Sequence, residues 1–487
     1  MLHSFGRLRL WSVIAAVVGS TFLTALDNTV VNVALPDMRT RLGLTETDVK
    51  WVATAYPLAL AGCLLGAGQL TDSKGRRWAL LTGVALFTTS SACCALSTTG
   101  MMLVCCRGLQ GAGAAFVLPA SLAVMTHDLP PGLRTVTCSA VTSALACALA
   151  FGPVISGVVT QHLGWEWLFL INTPLGVSTF VVVAAAVPGL SRRGNPSGPR
   201  MGAAIPNRQI TWACVFLAAF VYCLIQGPAD GFTEPPVVLC GGVAAMSATV
   251  LCRGKPCGHP VLGVLLRQRP YSGGLVTQLL WGLGVSGVYF YTCQFLQSGL
   301  RLSPAQAGLA FTPVFSALFL TAPFVTALAR RWGEARVSAA GLLLVAVGLL
   351  LLALGSGRGG LAGLVPGLAA VGVGSALALP LTTRALASSP GRLAGFAAGL
   401  FSATREVSGV FGIVLVGAVV TFVQRLCLSW HLSPGAALLT GYQAGLCVAA
   451  ALVAAGVPVA VWALRRHHEP VGEVACQVPD PSPDPKR

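Results

Sequence analysis

Charge is what this sequence has least of. Only 9% of its 487 residues are Asp, Glu, Lys or Arg, against about 25% in soluble domains. Lysine is nearly missing, with four against 27 arginines. So little charge cannot coat a water-exposed globule of this size. The signatures of common catalysis are missing too. There is no Gly-x-x-x-x-Gly-Lys-Ser/Thr phosphate loop and no His-Glu-x-x-His, and no Ser, His and Asp fall at a common depth. No catalytic set remains, so an enzyme is not expected. Energy for any work must come from an ion gradient or a downhill solute. Cys252, Cys257 and His259 lack a zinc spacing. No metal and no cofactor is expected.

What the chain has instead is long apolar runs. It is 55% hydrophobic, with a mean hydropathy of +0.77. A membrane helix needs about 20 apolar residues. Fourteen segments qualify: 10–35, 49–70, 78–97, 101–126, 136–160, 167–188, 209–227, 235–252, 271–297, 304–328, 336–354, 359–383, 397–424 and 441–464. The fold class is therefore an all-α polytopic membrane protein. A membrane β-barrel would show short alternating strands. Most of the 16 cysteines lie inside these runs, where they act as small hydrophobes. The first run is too long for a cleavable signal and lacks a small-residue cleavage pattern.

The net charge of +16 does not point to nucleic acid, because the positives sit in short loops. With the N-terminus inside, 23 Lys and Arg fall on the inner side and six on the outer side. That bias supports a topology with both termini cytoplasmic. The domain reading is 1–188 as a six-helix bundle, 189–208 as a linker and 209–253 as an inserted helix pair. A second linker, 254–270, leads to a second six-helix bundle at 271–466, then a disordered tail at 467–487. Ala327 to Gly333 echoes Leu70 to Gly75, both short basic connections with a glycine. Paired six-helix halves are a transporter architecture with the substrate held between them.

Intramembrane charge is costly and marks functional candidates. Asp27, Arg107, Arg405 and Glu406 are the clear cases. Asp27 lies about 12 Å and Arg107 about 9 Å from the outer ends of their helices, so they can pair or face one cavity. Asp27 is either a carboxylate that takes and loses a proton or attracts a cationic substrate, or a fixed partner for Arg107 or a polar neighbour. Arg107 keeps its charge at all pH and is a candidate for coupling. Gln110, Gly111 and Gly113 follow it, the glycines permitting close packing. Glu406, near the midplane, is a second proton-site candidate; the alternative is a polar contact to another helix. Gly152-Pro153 permits a kink and a pivot. Trp281, Tyr289 and Gln294, with Gln278, Tyr291 and Gln297, give one segment the mixed polarity of a ligand pocket.

Several stretches then resemble a known family. Gly68-x-Leu70-x-Asp72-x-x-Gly75-Arg76-Arg77 looks like the cytoplasmic loop signature of the major facilitator superfamily. Arg107 to Ala115 is similar to its helix-four motif. Leu26-Asp27-Asn28-Thr29-Val30-Val31-Asn32-Val33-Ala34-Leu35-Pro36 and Trp165 to Gly176 resemble the fourteen-helix drug:proton antiporter branch. Departures are Ser73 and Glu166, where basic residues are usual. Ser139, Ala148 and Ser156 likewise stand where glycine is usual. The resemblance implies a major facilitator fold, two six-helix bundles plus two extra central helices, in the cell membrane. It implies proton coupling at Asp27, Arg107 and Glu406, and substrate contacts at Asn28, Asn32, Gln110, Trp281, Tyr289 and Gln294. Gating falls to Gly68, Asp72, Gly75, Arg76, Arg77, Gly152 and Pro153, with Asp72 meeting the start of the thirteenth helix near Gly395. The implied partners are protons, lipid and a small-molecule drug or antibiotic, handled by a monomer. The expected function is export, as for an actinomycete antibiotic exporter of, for instance, cephamycin type. Uptake or symport of a small metabolite is the alternative, and a transport-dead sensor the third reading.

Overall fold

The computed structural model describes residues 2–187, 207–253, 260–358, 360–389 and 394–464, which form helices and short connections with no strand among them. The first half comprises α1 (Leu2–Leu42), α2 (Glu46–Lys74), α3 (Arg76–Ala95), α4 (Gly100–His127), α5 (Pro131–His162) and α6 (Glu166–Ala186). Next come α7 (Asn207–Asp230), α8 (Pro235–Arg253) and a short α9 (Pro260–Arg267). The second half holds α10 (Arg269–Gln294), which continues into a π-turn at Phe295–Gly299. It then runs through α11 (Pro304–Ala310), α12 (Thr312–Trp332), α13 (Glu334–Gly355), α14 (Leu361–Leu377), α15 (Leu379–Ala387), α16 (Ala394–Ser429) and α17 (Pro434–Leu464).

Each of the fourteen expected segments falls on helix. Among the described residues, eleven helices are long and apolar enough to cross a membrane, and Thr211–Gly227 and Pro235–Leu251 are shorter apolar ones. In hydrocarbon a helix satisfies its own backbone, which is why apolar runs become helices. Two segments differ from expectation in being broken. The tenth breaks at Phe311 and the twelfth at Ala378, each just ahead of a proline, Pro313 or Pro380, which has no N–H to continue the ladder. The stretch expected as a second linker contains α9. The tail, residues 189–206 of the first linker, Cys257, His259 and the side chain of Cys252 lie outside the described residues, and Asn207 and Arg208 of that linker begin α7.

Short caps make sharp turns at one end of the bundle. Thr45 and Asp48 form a reciprocal capping box at α2, and Ser303 and Gln306 form another at α11. At the opposite end Gly75 joins α2 to α3 with φ 97° and ψ 147°, while Gly333 joins α12 to α13 with φ 88° and ψ 143°. Only glycine takes this conformation without strain. The two halves thus repeat the same turn. They also repeat an ion pair with its charges exchanged. Arg76, just after Gly75, forks onto Asp128 at the end of α4. Glu334, just after Gly333, meets Arg384 near the end of α15 at 3.7 Å. Helix neighbours follow the same plan: α1 lies against α5 and α6, and α10 against α16 and α17.

The halves meet along two seams, α5 with α11 and α2 with α16. At the capped end the first seam is backbone on backbone. A Cβ on Gly157 would lie 2.9 Å from Ala305 Cα, and one on Gly308 would overlap the Pro153 carbonyl oxygen. Gln297 Nε2 also donates to the Val33 carbonyl at 2.8 Å, tying the π-turn to α1. Along the second seam Ala403 of α16 lies in a cluster with Tyr56, Leu60, Leu64 and Ala67 of α2. Toward the basic end, Gly68 of α2 and Gly399 of α16 each have open space where a Cβ would sit. The inserted pair lies against the second seam. Val221 and Ile225 of α7 join Val410 and Val414 of α16, with Trp51 and Leu58 of α2 alongside.

Candidate functional site

Asp27 of α1 is fully buried, with 0% exposure. Burial of a carboxylate demands donors, and three side chains supply them. Arg107 Nη1 of α4 reaches Oδ2 at 2.5 Å, Gln110 Nε2 reaches Oδ1 at 2.8 Å, and Asn172 Nδ2 of α6 reaches Oδ1 at 2.8 Å. Arg107 also donates to Gln110 Oε1 at 2.8 Å, so one helix turn holds both donors in a chelate. Ser91 of α3 accepts from Gln110 and Asn172 and donates to the Phe169 carbonyl at 3.0 Å. All four partners are buried.

Aromatic faces complete the surroundings of the cation. The Arg107 guanidinium carbon lies 4.6 Å from the Tyr56 ring centroid and 5.8 Å from that of Phe169. Such contacts are worth about 2 kcal/mol or more when desolvated. Tyr56 is held by its hydroxyl, which donates to the Thr24 carbonyl at 3.2 Å. Glycine makes the approach possible: a Cβ on Gly111 would overlap the Tyr56 carbonyl oxygen, and one on Gly113 would lie 2.7 Å from Phe87 N. Arg107 Nε has no partner among the described atoms. The arrangement is an ion pair sealed from solvent.

Of the two arrangements open to Asp27 and Arg107, a pair or two groups facing one cavity, the structure has the pair. Gln110 is placed on Asp27 rather than at an open pocket. Asn172 and Ser91 were not singled out as site residues. Asn172 lies in the Trp165–Gly176 motif, and Ser91 in the polar run Thr88–Ser91 of an apolar segment. Matching helix depths for neutral polar residues, and not only for charges, brings both to the level of Asp27.

The remaining candidates are dispersed. Glu406 is buried and accepts from its neighbour Arg405, whose Nη2 lies 2.9 Å away. Asn28 is exposed and Asn32 half-buried, one turn apart on α1. Tyr289 stacks on Phe315 with centroids 6.3 Å apart. Trp281 packs on the large core, with its indole Nε1 buried and unpartnered. Gln294 lines a polar cavity of about 60 Å³ at the capped end, with Arg39, Glu46 and Lys50. Arg76 and Arg77 bind within the first half, to Asp128 and to the Ala184 carbonyl at 2.6 Å. Gly152 packs on Thr29 of α1, and Pro153 offers its carbonyl to the Gly308 contact. The Asp72 side chain, and the side chains from Pro390 to Phe396, lie outside the described residues.

Two pseudo-symmetric helical halves around a seam, with one sealed charge pair beside it, define a secondary transporter. The chain belongs to the Major Facilitator Superfamily, whose family model matches residues 17–413. It is 31% identical over 434 residues to the multidrug resistance protein Stp of Mycobacterium tuberculosis, covering 88% of this chain and 78% of that one. It is 31% identical over 406 residues to the cephamycin export protein CmcT of Amycolatopsis lactamdurans, covering 81% and 82%. A crystal structure of the POT family transporter PepTSo shares the fold, with a TM-score of 0.63 at 15% identity, covering 93% of this chain and 98% of that one.

Proposed function

We propose that this chain exports an amphipathic antibiotic or drug-like compound across the cell membrane by proton antiport and alternating access. The observation that carries the reading is the buried Asp27, held by three donors, one of them the permanent cation Arg107. Protonation of Asp27 removes the charge that balances Arg107. An unbalanced buried charge costs about 3–5 kcal/mol, enough to favour a different arrangement of the helices. A proton thereby acts as a ligand with different affinities for two states, the only way a ligand shifts such an equilibrium. Names of the relatives support the cargo class, since both Stp and CmcT are named for drug resistance or export.

Both termini and the Gly75 turn are assigned to the cytoplasm by the Lys and Arg bias. On that assignment the capped end, where α5 and α11 meet backbone on backbone, is the extracellular one. The substrate then binds between the halves, near Asn28, Asn32, Trp281, Tyr289 and Gln294. Closing the inside brings Asp72 to the start of α16, where a helix N-terminus favours a carboxylate. The protein works as a monomer on this reading. The decisive test uses purified protein in proteoliposomes with a panel of amphipathic compounds, with and without an imposed pH gradient. Gradient-driven movement of at least one compound is expected; movement indifferent to the gradient would refute antiport.

A further inference from the structure

Arg405 lies about 12 Å along α16 from Ala397, deep in the apolar run. Its side chain is 56% exposed, while the carboxylate beside it, Glu406, is 7% exposed. An arginine facing hydrocarbon at that depth is costly, so such residues face a protein cavity. The neighbours of α16 say which one. Ser408 and Gly412 are pressed on Gly282 and Leu283 of α10, and Ala403 sits on α2. Tyr56 of α2 lies within electrostatic range of Arg405 and Glu406, and of Asp27 and Arg107. At about 100° per residue Arg405 lies on the side of α16 that carries Ser408 and Gly412, opposite Ala403, so it opens into a cleft beside α10.

Its donors are only partly used. Nε and Nη2 both donate to the single oxygen Oε1 of Glu406, at 3.1 and 2.9 Å. A guanidinium has five N–H donors in a planar fork, so an edge of Arg405 remains turned to the cleft. We propose that Arg405 is a recognition site for a carboxylate or similar oxyanion on the transported molecule. Glu406 competes for the same guanidinium and holds it when the cleft is empty. The inference rests on the export reading only for its choice of ligand.

The test measures equilibrium binding to the full-length protein in lipid nanodiscs, with empty discs as background. The probes are 1-pyrenebutyrate and its methyl ester, which differ only in the anionic group. Wild type should bind the acid about tenfold tighter than the ester, as a charge-assisted bidentate contact allows. Arg405→Gln should abolish that preference and leave ester binding unchanged. Glu406→Gln, by removing the competitor, should tighten acid binding. A purely structural Arg405–Glu406 pair predicts otherwise, with both variants weakening both probes alike. That outcome, or equal wild-type affinity for acid and ester, would overturn the proposal. Vesicle transport separates the two readings. If the acid preference holds and depends on Arg405, yet a pH gradient moves neither pyrene probe nor tetraphenylphosphonium, export falls and the anion site stands. If the ester and the cation are moved without any role for Arg405, export stands and the anion site falls.

Discussion

One methyl group at Gly308 tests whether the halves close by backbone contact at the capped end. Its Cβ would overlap the Pro153 carbonyl oxygen and lie 3.4 Å from Val154 Cα. Carbon atoms rest at about 3.5–4.0 Å from one another. Neither neighbour is the flexible tip of a side chain, so α5 and α11 must separate. Overpacking of this kind costs about 1–3 kcal/mol. The contact exists only while the capped end is closed, so the penalty falls on that state alone. At about 2 kcal/mol the ratio of closed to open molecules falls about thirty-fold. The assay is reaction of an impermeant maleimide with a single cysteine in place of Thr160, 2% exposed and one turn from Gly157, in a background with the native cysteines replaced. Gln161 accepts from the Ala305 amide at 3.3 Å across the same seam. Gly308→Ala should speed the reaction by up to that factor, and Gly157→Ala should do the same. Gly435→Ala is the control, at the same end with open space around it. Unchanged rates for both seam variants would refute the reasoning.

Asp27→Asn should abolish transport driven by a pH gradient while the purified protein still folds, at a lowered melting temperature because Arg107 loses its counter-charge; full gradient-driven activity would remove Asp27 from coupling. Arg107→Lys should also be inactive, because an ammonium cannot reach Asp27 and Gln110 together while lying flat between Tyr56 and Phe169; near-normal export counts against that role. Arg76→Ala strands Asp128, which is 6% exposed, at a cost of about 1–3 kcal/mol. The melting temperature in detergent should drop, with Arg76→Lys recovering only part of it; no drop would show that the fork does not staple α3 to α4.

Much of the helical plan was legible because hydropathy alone dictates where a backbone can cross a membrane. Segment length hid the two breaks, although Pro313 and Pro380 mark them. The Asp27–Arg107 pair was legible because charges stand out in apolar runs and their depths matched. Asn172 and Ser91 were not, since neutral polar side chains scarcely change the hydropathy of a segment. They become informative only once α3, α4 and α6 are known to surround one point. The closed seam is harder still. Gly157 and Gly308 promise close packing with something, but which helix each one touches depends on the state of the transporter. The twin turns at Gly75 and Gly333 gave the repeat its firmest local support, because their dihedral angles agree where their flanking charges do not.

Two halves of like helix arrangement cannot by themselves give coupling a direction; side chains must supply the asymmetry. Here it takes a definite form. The first half keeps its charge pair sealed, with Asp27 and Arg107 at 0% and 1% exposure. The second half keeps its pair, Arg405 and Glu406, with the cation open at 56%. A proton can reach a sealed pair through transient water, whereas an amphipathic molecule needs the cleft. The division suits the proposed cycle, with the proton read in the first half and the cargo in the second. Tyr56 is the side chain placed to join them. Its ring covers Arg107, its hydroxyl is tied to α1, and α16 carries the second pair past it. Tyr56→Phe keeps the ring and loses the tie to the Thr24 carbonyl. It should leave the binding of pyrenebutyrate intact while weakening the dependence of its transport on the pH gradient. If binding and gradient dependence fell together, the two pairs would be a single site and the division of labour would be wrong.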